Sequence, residues 1–395
     1  MKKFLALTLA LVMSLSLVAC GDKKTDDTKT DAPDQTEQPA ENEGAYKVAM
    51  ITDYGDITDQ SFNQTTYEAC KAFAEDNDIE FNYFKPVGDN TADRVAMIEK
   101  AADEGYNVIV MPGYAFGGAI VEAAPEFPDV KFIALDVAAG DLLETAVAKA
   151  GESYDCTPEN WDLSKYVDMS NVYCAVYQEE LCGYMAGYAA VKLGYTHLGV
   201  LGGMAVPAVQ RFGYGFVQGA DAAAKELGVD DVNIKYWYSG GFAATDEVKN
   251  KMDGWYSEGT EVVFACGGPV CESCDAAAQA NGGKMIGVDV DQSGRYDTVI
   301  TSAMKGLAES VNEALTDSMN NGWKFTETYA GKETKLGAAE NCVGLPMETS
   351  KFNKFTQEQY DAMYASIVDG TLTIDDSFDT TVTPSVTNVT VDYQG

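Results

Sequence analysis

Acidic residues and glycines follow several short apolar runs of this sequence, at positions where they could bind a ligand. Five runs end in such residues, which are Asp53, Pro112-Gly113, Asp136, Gly267-Gly268 and Asp289. A carboxylate accepts hydrogen bonds from two hydroxyls at once, so these aspartates suit a ligand that carries hydroxyl groups. An Asp after a strand can also cap a helix or form a turn, and we expect Asp56 and Asp59, just before the first helix, to be capping residues rather than ligands. Several such residues in one cleft favour ligand binding.

Residues for catalysis are scarce. His197 is the single histidine among 395 residues, so a mechanism that pairs a Ser or Cys nucleophile with a histidine must use it. The sequence contains no Walker A motif and no G-x-S-x-G motif. These features argue against an enzyme, and no cofactor is predicted.

Nine cysteines need an explanation. Cys266, Cys271 and Cys274 have C-x4-C-x2-C spacing, which raises the possibility of a metal site or of thiol redox chemistry. A zinc or iron–sulfur site would need a fourth ligand, and no second C-x-x-C exists. We therefore favour structural thiols or a disulfide and predict no metal.

The elements that would position these residues alternate between apolar runs and amphipathic stretches. Continuous apolar runs with helices between them are typical of parallel strands that are buried on both faces. The sequence therefore predicts an α/β fold of doubly wound sheets. The predicted strands are 47–51, 107–111, 131–135, 198–201, 262–265, 285–288 and 299–302, and helices are predicted at 61–76, 305–319 and 357–368.

These elements divide into two lobes. We expect residues 47–171 and 299–336 in the first lobe and residues 172–298 and 337–395 in the second. Ligands of doubly wound sheets bind at the carboxyl ends of the strands. Two lobes with facing strand ends would enclose a cleft.

The charge of the chain limits its partners. Lys and Arg number 27 and Asp and Glu number 62, which gives a formal net charge of −35. Such a surface repels phosphate backbones, so nucleic-acid binding is excluded as a function.

The N-terminus carries a targeting signal. Lys2 and Lys3 precede an apolar run that ends in Leu17-Val18-Ala19-Cys20. This layout resembles the bacterial lipoprotein signal, which predicts a signal peptide at 1–19 and lipid on Cys20. Residues 20–46 are acidic and polar, and we expect a disordered tether that holds the body outside the membrane.

Further motifs resemble the basic membrane protein family. Members of this family are lipoprotein substrate-binding proteins of ABC transporters, typified by purine nucleoside receptor proteins. The resemblance spans roughly residues 47–350, and its most specific motifs are 52–63 and 286–292. Weaker motifs follow in the same order at 199–216, 240–242, 263–268 and 301–305.

The resemblance implies a two-lobed periplasmic-binding-protein-like (type I) fold and a nucleoside ligand. It implies that Phe62 and Phe242 stack on the base, since stacking on an aromatic ring stabilises a bound base by about 1–3 kcal/mol. The other residues it assigns to the ligand are Asp53 and Asn63 at the base edge, and Asp136, Asp289, Lys305 and the Gly268 backbone at the ribose.

The implied protein is a monomer on the outer face of the cell membrane that supplies an ABC transporter permease. Three alternatives remain open. The same fold could bind a sugar or signalling molecule, it could act as a sensor without a transporter, or the chain could be a nucleoside-hydrolysing or thiol-redox enzyme.

Overall fold

A computed structural model describes residues 46–377 and 383–394 of the chain. The predicted signal peptide, Cys20 and the tether up to residue 45 lie outside the described residues.

The first sheet has six strands, and all neighbouring strands in it are parallel. Apart from Lys131 at the start of one of them, the central strands are apolar and buried because helices cover both faces of the sheet. With elements numbered along the chain, the strands are β1 (Lys47–Ile51), β2 (Glu80–Phe84), β3 (Val108–Pro112), β4 (Lys131–Leu135), β5 (Val172–Tyr177) and β11 (Lys332–Leu336). Their order is β11-β5-β4-β3-β1-β2.

The second sheet has seven strands. It is parallel except for the short strand β12 (Val343–Gly344), which runs antiparallel to β10 (Val299–Lys305). The strands are β6 (His197–Gly202), β7 (Val232–Tyr238), β8 (Val262–Cys266), β9 (Lys284–Asp289), β10 (Val299–Lys305), β12 (Val343–Gly344) and β13 (Val389–Gln394). Their order is β12-β10-β9-β8-β6-β7-β13.

Helices pack against each sheet through apolar faces. The first sheet carries α1 (Phe62–Asp76), α2 (Thr91–Asp103), α3 (Gly117–Ala123), α4 (Ala139–Lys149) and α9 (Leu307–Asn320). The second carries α5 (Glu179–Leu193), α6 (Pro207–Leu227), α7 (Asp246–Ser257), α8 (Val270–Asn281) and α10 (Gln357–Val368). The predicted α/β fold with two parallel-sheet lobes is confirmed. Among the described helices, none has the length and apolar character needed to cross a membrane.

Two strands lie in the opposite sheet from the one the sequence suggested. β5 pairs with β4 and β11, so it belongs to the first lobe, although 172 was predicted to begin the second. β10 pairs with β9 in the second lobe, although 299 was predicted to return to the first. The predicted boundaries at 171/172 and 298/299 are each wrong by one strand, because strand partners are chosen by long-range pairing. Within the described residues, the chain changes sheets at three segments, around 178, 306 and 337.

Helices α5 and α6 cross in backbone contact. A Cβ atom on Gly183 or Gly187 of α5 would clash with a backbone carbonyl of α6. In turn, a Cβ atom on Gly215 or Gly219 of α6 would clash with a backbone carbonyl of α5. These four glycines therefore fix the distance between the two helices.

Candidate functional site

The strand ends of both sheets surround one cavity of about 840 Å³. Side chains or backbone from both lobes form its walls. All eight ligand-contacting residues suggested by the sequence line it, namely Asp53, Phe62, Asn63, Asp136, Phe242, Gly268, Asp289 and Lys305. The structure therefore brings the whole predicted set together, although the residues are far apart in the sequence.

The backbone is left-handed where three strands end at the cavity. Asp136 follows β4 with φ 58°, Asp289 ends β9 with φ 65°, and Gly268 follows β8 with φ 54°. Asp tolerates this region better than most residues because its short side chain bonds locally, and glycine enters it without strain. Backbone held in such regions clusters at functional sites in proteins.

Lys305, at the end of β10, is the central cation of the cavity wall. Its Nζ donates to Asp136 Oδ2 at 2.5 Å and to Glu179 Oε1 at 3.3 Å, and lies 3.9 Å from Asp289 Oδ1. The side chain is only 3% exposed, and these carboxylates raise its pKa despite the opposing effect of burial. Lys305 is therefore a permanent positive charge. It joins Asp136 of the first lobe to Glu179 and Asp289 of the second.

Three aromatic rings surround the same ammonium group. Its Nζ lies 4.7 Å from the ring centre of Phe62, 5.1 Å from Tyr177 and 5.6 Å from Phe212. These cation–π contacts fix the position of the ammonium group.

The carboxyl groups around Lys305 differ in the direction in which their pKa values are shifted. Burial raises the pKa of Asp136 even though Lys305 opposes that shift, and burial likewise raises the pKa of Asp289. Burial would also raise the pKa of Glu179, but Arg211 and Lys305 together hold it below its ordinary value. Arg211 Nε donates to Glu179 Oε2 at 2.7 Å. Glu179 is therefore held ionised beside the two cations, whereas burial favours the protonated form of Asp136 and Asp289.

Asp53 and Asn63 form a second polar group in the cavity wall. Asp53 Oδ1 accepts hydrogen bonds from the backbone N–H groups of Tyr54 at 2.6 Å and Gly55 at 2.7 Å. Asn63 Nδ2 donates to the same oxygen at 3.1 Å. Burial raises the pKa of Asp53, and the three hydrogen bonds oppose that rise. These hydrogen bonds hold the side chains of Asp53 and Asn63 together at the carboxyl end of β1.

The two aspartates expected to cap α1 behave differently. Asp59 accepts the backbone N–H groups of Ser61, Asn63 and Gln64, so the prediction for Asp59 is confirmed. Asp56 is exposed, bonds to Thr58 and pairs with Lys85 at 3.0 Å, so the prediction for Asp56 is wrong.

Phe62 belongs to the first lobe and Phe242 belongs to the second. Both side chains are half-buried: Phe62 packs on the core of the first lobe, and Phe242 packs on that of the second. The remaining surface of each ring lines the cavity. Ser61, beside Phe62, donates a hydrogen bond from Oγ to Asp289 Oδ2 and so connects the lobes at this point.

Comparison with known proteins identifies the architecture. The family model described as ABC transporter substrate-binding protein PnrA-like, or Bmp, matches residues 46–377. The chain belongs to this family. Its members are extracytoplasmic substrate-binding proteins, which implies a small ligand and a transporter permease as partner.

Relatives match most of the length of this Bmp-family chain. The ABC transporter nucleoside-binding protein BmpA of Lactococcus lactis subsp. cremoris is 24% identical over 95% of this chain and 99% of its own. Basic membrane protein A1 of Borrelia garinii subsp. bavariensis is 27% identical over 77% of this chain and 83% of its own.

A solved structure supports the fold. The solute-binding protein of an ABC transporter system from Aeropyrum pernix K1 covers 85% of this chain and 95% of its own with a TM-score of 0.67, at 19% identity. The predicted type I binding-protein fold is confirmed. The Bmp family is a family of ABC transporter substrate-binding proteins.

Sequence reasoning missed two residues of the Lys305 cluster and a neighbouring carboxyl. Glu179 and Glu180 are buried at the start of α5, and Arg211 reaches Glu179 from α6. Burial, with help from Glu179, raises the pKa of Glu180 to about 7. Two adjacent acidic residues inside the apolar segment 172–193 were the available signal, because buried carboxylates need partners.

The cysteines that the structure of this Bmp-family chain describes are thiols. The eight cysteines in the described residues are all free, and seven of them are buried. Burial raises the pKa of Cys271 and Cys274, which makes both poor nucleophiles. Across residues 46–377 and 383–394, no group of His, Cys, Asp and Glu side chains is placed to hold a metal ion.

Proposed function

We propose that this protein captures nucleosides, with purine nucleosides foremost, outside the cell membrane and delivers them to the permease of an ABC importer. The observation that carries the proposal is the buried Lys305 cluster at a cavity that two phenylalanines also line. Carboxylates beside a fixed cation suit the hydroxyls of a ribose, and aromatic rings suit a base. The printed name of the Lactococcus lactis relative, a nucleoside-binding protein, supports the same ligand class.

The charged side chains of the cavity are assigned to the ribose. Asp136 and Asp289 accept hydrogen bonds from ribose hydroxyls, and Lys305 and the Gly268 backbone complete the sugar site. Each hydrogen bond to a charged group contributes about 1.5–3 kcal/mol. A site built on such bonds rejects ligands that lack the hydroxyls, because its own buried groups are then left unpaired.

The two phenylalanine rings of the cavity are assigned to the base. Phe62 from one lobe and Phe242 from the other stack on the two faces of the base, with Asp53 and Asn63 at its edge. Because the two rings belong to different lobes, the base bridges the cleft.

A titration series tests this proposal. Inosine, 2′-deoxyinosine and hypoxanthine are titrated by calorimetry into the full-length protein in detergent and into its Asp289→Ala variant. We expect inosine to bind most tightly and hypoxanthine least, with Asp289→Ala flattening this ranking. Equal binding of base and nucleoside would contradict the sugar site. Tighter binding of free ribose than of any nucleoside would support the sugar-binding alternative, and release of hypoxanthine from inosine on long incubation would indicate an enzyme.

We further propose that lipid on Cys20 holds the protein at the outer face of the membrane. The support is the sequence Leu17-Val18-Ala19-Cys20 after an apolar run. Two or more acyl chains anchor a protein stably where a single chain does not. Intact-mass analysis of membrane-derived protein should give a chain that begins at a lipidated Cys20, and Cys20→Ser should abolish the lipid mass. A wild-type chain that starts elsewhere would contradict the anchor.

A further inference from the structure

A glutamine of the second lobe reaches across the cleft to the backbone of the first lobe. Gln292 lies in the loop after β9, and its Nε2 donates to the carbonyl of Gln60, in the loop before α1, at 3.3 Å. Gln292 is only 3% exposed. Neither residue is among the described residues that line the cavity. The contact therefore joins the two lobes without forming part of the ligand site.

The orientation of the Gln292 side-chain amide is fixed by its own lobe. Its Oε1 accepts the backbone N–H of Val288 at 3.2 Å, and the backbone N–H of Gln292 donates to Ser302 Oγ at 3.1 Å. A Cβ atom on Gly287 would lie 2.5 Å from Gln292 Oε1, so the glycine leaves room for the amide. Since a buried backbone N–H requires an acceptor, the amide oxygen must face Val288. The amide nitrogen then faces the first lobe.

The acceptor on the first lobe is also held in place. Gln60 has a left-handed backbone with φ 62°, a region that residues other than glycine seldom occupy. Its N–H donates to Gln64 Oε1 at 3.1 Å, and the N–H of the next residue, Ser61, donates to Asp59 Oδ1 at 3.0 Å. Hydrogen bonds on both sides of the turn therefore present the Gln60 carbonyl to Gln292 at a fixed position.

A second hydrogen bond joins the lobes beside this contact but differs from it in one respect. Ser61 Oγ donates to Asp289 Oδ2. Both of these residues line the cavity, so a ligand hydroxyl can compete with Ser61 for the carboxylate. The bond between Gln292 and Gln60 lies outside the cavity wall, and a bound ligand leaves it intact.

We infer that the hydrogen bond from Gln292 to the Gln60 carbonyl is a latch that holds the two lobes together over the ligand. Its two ends belong to different lobes, and the described chain passes between the lobes at other segments, around 178, 306 and 337. The bond must therefore break whenever the lobes separate. The latch slows the release of a ligand, and its action does not depend on which ligand fills the cavity.

The variant Gln292→Glu isolates the latch because the change is isosteric. One carboxylate oxygen still accepts the Val288 N–H, but the other meets the Gln60 carbonyl without a hydrogen to donate. Surface plasmon resonance with inosine and the full-length protein in detergent measures the rates. We expect dissociation to be about two- to tenfold faster than in the wild type, the change in equilibrium that one hydrogen bond produces. Association should be unchanged, because the ligand enters while the cleft is open.

Two further variants control this measurement. Gln357→Glu, at the exposed start of α10, makes the same chemical change away from the cleft and should keep both wild-type rates. Gln292→Met removes the latch without bringing in a charge and should also speed dissociation, so it decides the test if thermal melting shows that Gln292→Glu does not fold. Wild-type dissociation, or slower association alone, in a folded variant at Gln292 would overturn the inference.

A distance measurement tests the latch without any ligand. Spin labels on Cys156 of the first lobe and on Ala280→Cys of the second, both at exposed positions, report the separation of the lobes by electron–electron resonance. We expect a short distance to be populated in the ligand-free protein and to be lost in Gln292→Glu. Identical distance distributions, or a protein with Gln292 intact that lacks the short distance, would overturn the latch. If inosine does not bind the wild type, the proposed function fails, and this measurement still decides the latch.

Discussion

Replacing Lys305 by methionine should reveal how strongly the buried charge cluster depends on this cation. Methionine keeps the length and the apolar stem of the side chain but removes the ammonium group. Two charge-assisted hydrogen bonds are lost, to Asp136 at 2.5 Å and to Glu179 at 3.3 Å. Loss of one partner of a buried ion pair costs about 3–5 kcal/mol. We expect a decrease of that size in the free energy of unfolding near neutral pH.

The cost should shrink as the pH falls. Burial already raises the pKa of Asp136 and Asp289, and removing Lys305 raises both further. A carboxyl whose pKa is higher in the folded than in the unfolded protein binds more protons when folded. Its contribution to stability is therefore greatest at low pH and is lost as the pH rises through the folded pKa. The difference between wild type and Lys305→Met should thus be smaller near about pH 5 than near about pH 8.

Urea unfolding at both pH values measures these quantities. The matched control is Lys335→Met, since Lys335 also lines the cavity but is 63% exposed and pairs with Asp376 at 3.3 Å. An exposed ion pair contributes about 0–1 kcal/mol, so this variant should remain close to wild type. The reasoning is refuted if both variants lose the same stability, or if the cost of Lys305→Met does not depend on pH.

Three other experiments address the ligand and the helix contact. Phe62→Ala and Phe242→Ala should each weaken inosine binding by about 1–3 kcal/mol, measured by calorimetry. If both variants unfold, the two rings stabilise the hydrophobic cores and are not assigned to the ligand. Inosine binding should release protons and should weaken as the pH falls from about 8 to about 5, because ribose hydroxyls donate to the ionised form of Asp136, whose pKa is raised by burial. Calorimetry in two buffers of different ionisation enthalpy measures the number of protons released. Uptake of protons on binding would contradict this prediction. Gly187→Ala should lower the free energy of unfolding by about 1–3 kcal/mol, because the new Cβ meets an α6 carbonyl. A Cβ atom on Gly254 of α7 would enter open space, so Gly254→Ala should raise the free energy of unfolding by about 0.5–1 kcal/mol. If the denaturation curves of both glycine variants shift in the same direction, the contact between α5 and α6 is contradicted.

Local patterns predicted the elements and their ends. The apolar run 47–51 is β1, and the runs before Asp136 and Asp289 are β4 and β9. Buried parallel strands need continuous apolar residues, and their carboxyl ends need turn-forming residues, so both signals lie within a few positions. This is why the aspartates of the cavity could be found in the sequence.

The choice of sheet could not be read locally. The run Val172–Tyr177 is buried at every position and would fit either sheet. Its neighbour β11 lies about 160 residues further along the chain, at Lys332–Leu336. The same limit hid Glu179 and Arg211 of the Lys305 cluster, because these two residues come together only through the glycine contact of α5 with α6. Side chains that meet through packing leave only an indirect signal, here two adjacent acids in an apolar segment.

Backbone hydrogen bonds join the three segments in which the chain passes from one sheet to the other. Gln178 N–H donates to the Leu336 carbonyl at 3.0 Å, Cys342 N–H donates to the Gly337 carbonyl at 2.8 Å, and Gly306 N–H donates to the Cys342 carbonyl at 2.6 Å. A single linker would let two bodies twist as well as bend, but three linkers bonded to one another resist twisting and leave bending as the easy motion. Glu179 and Lys305 each lie next to one of these linkers. A ligand that pulls on the Lys305 cluster therefore acts close to the axis of rotation, where a small displacement of side chains produces a large movement of the outer surfaces that a permease would touch.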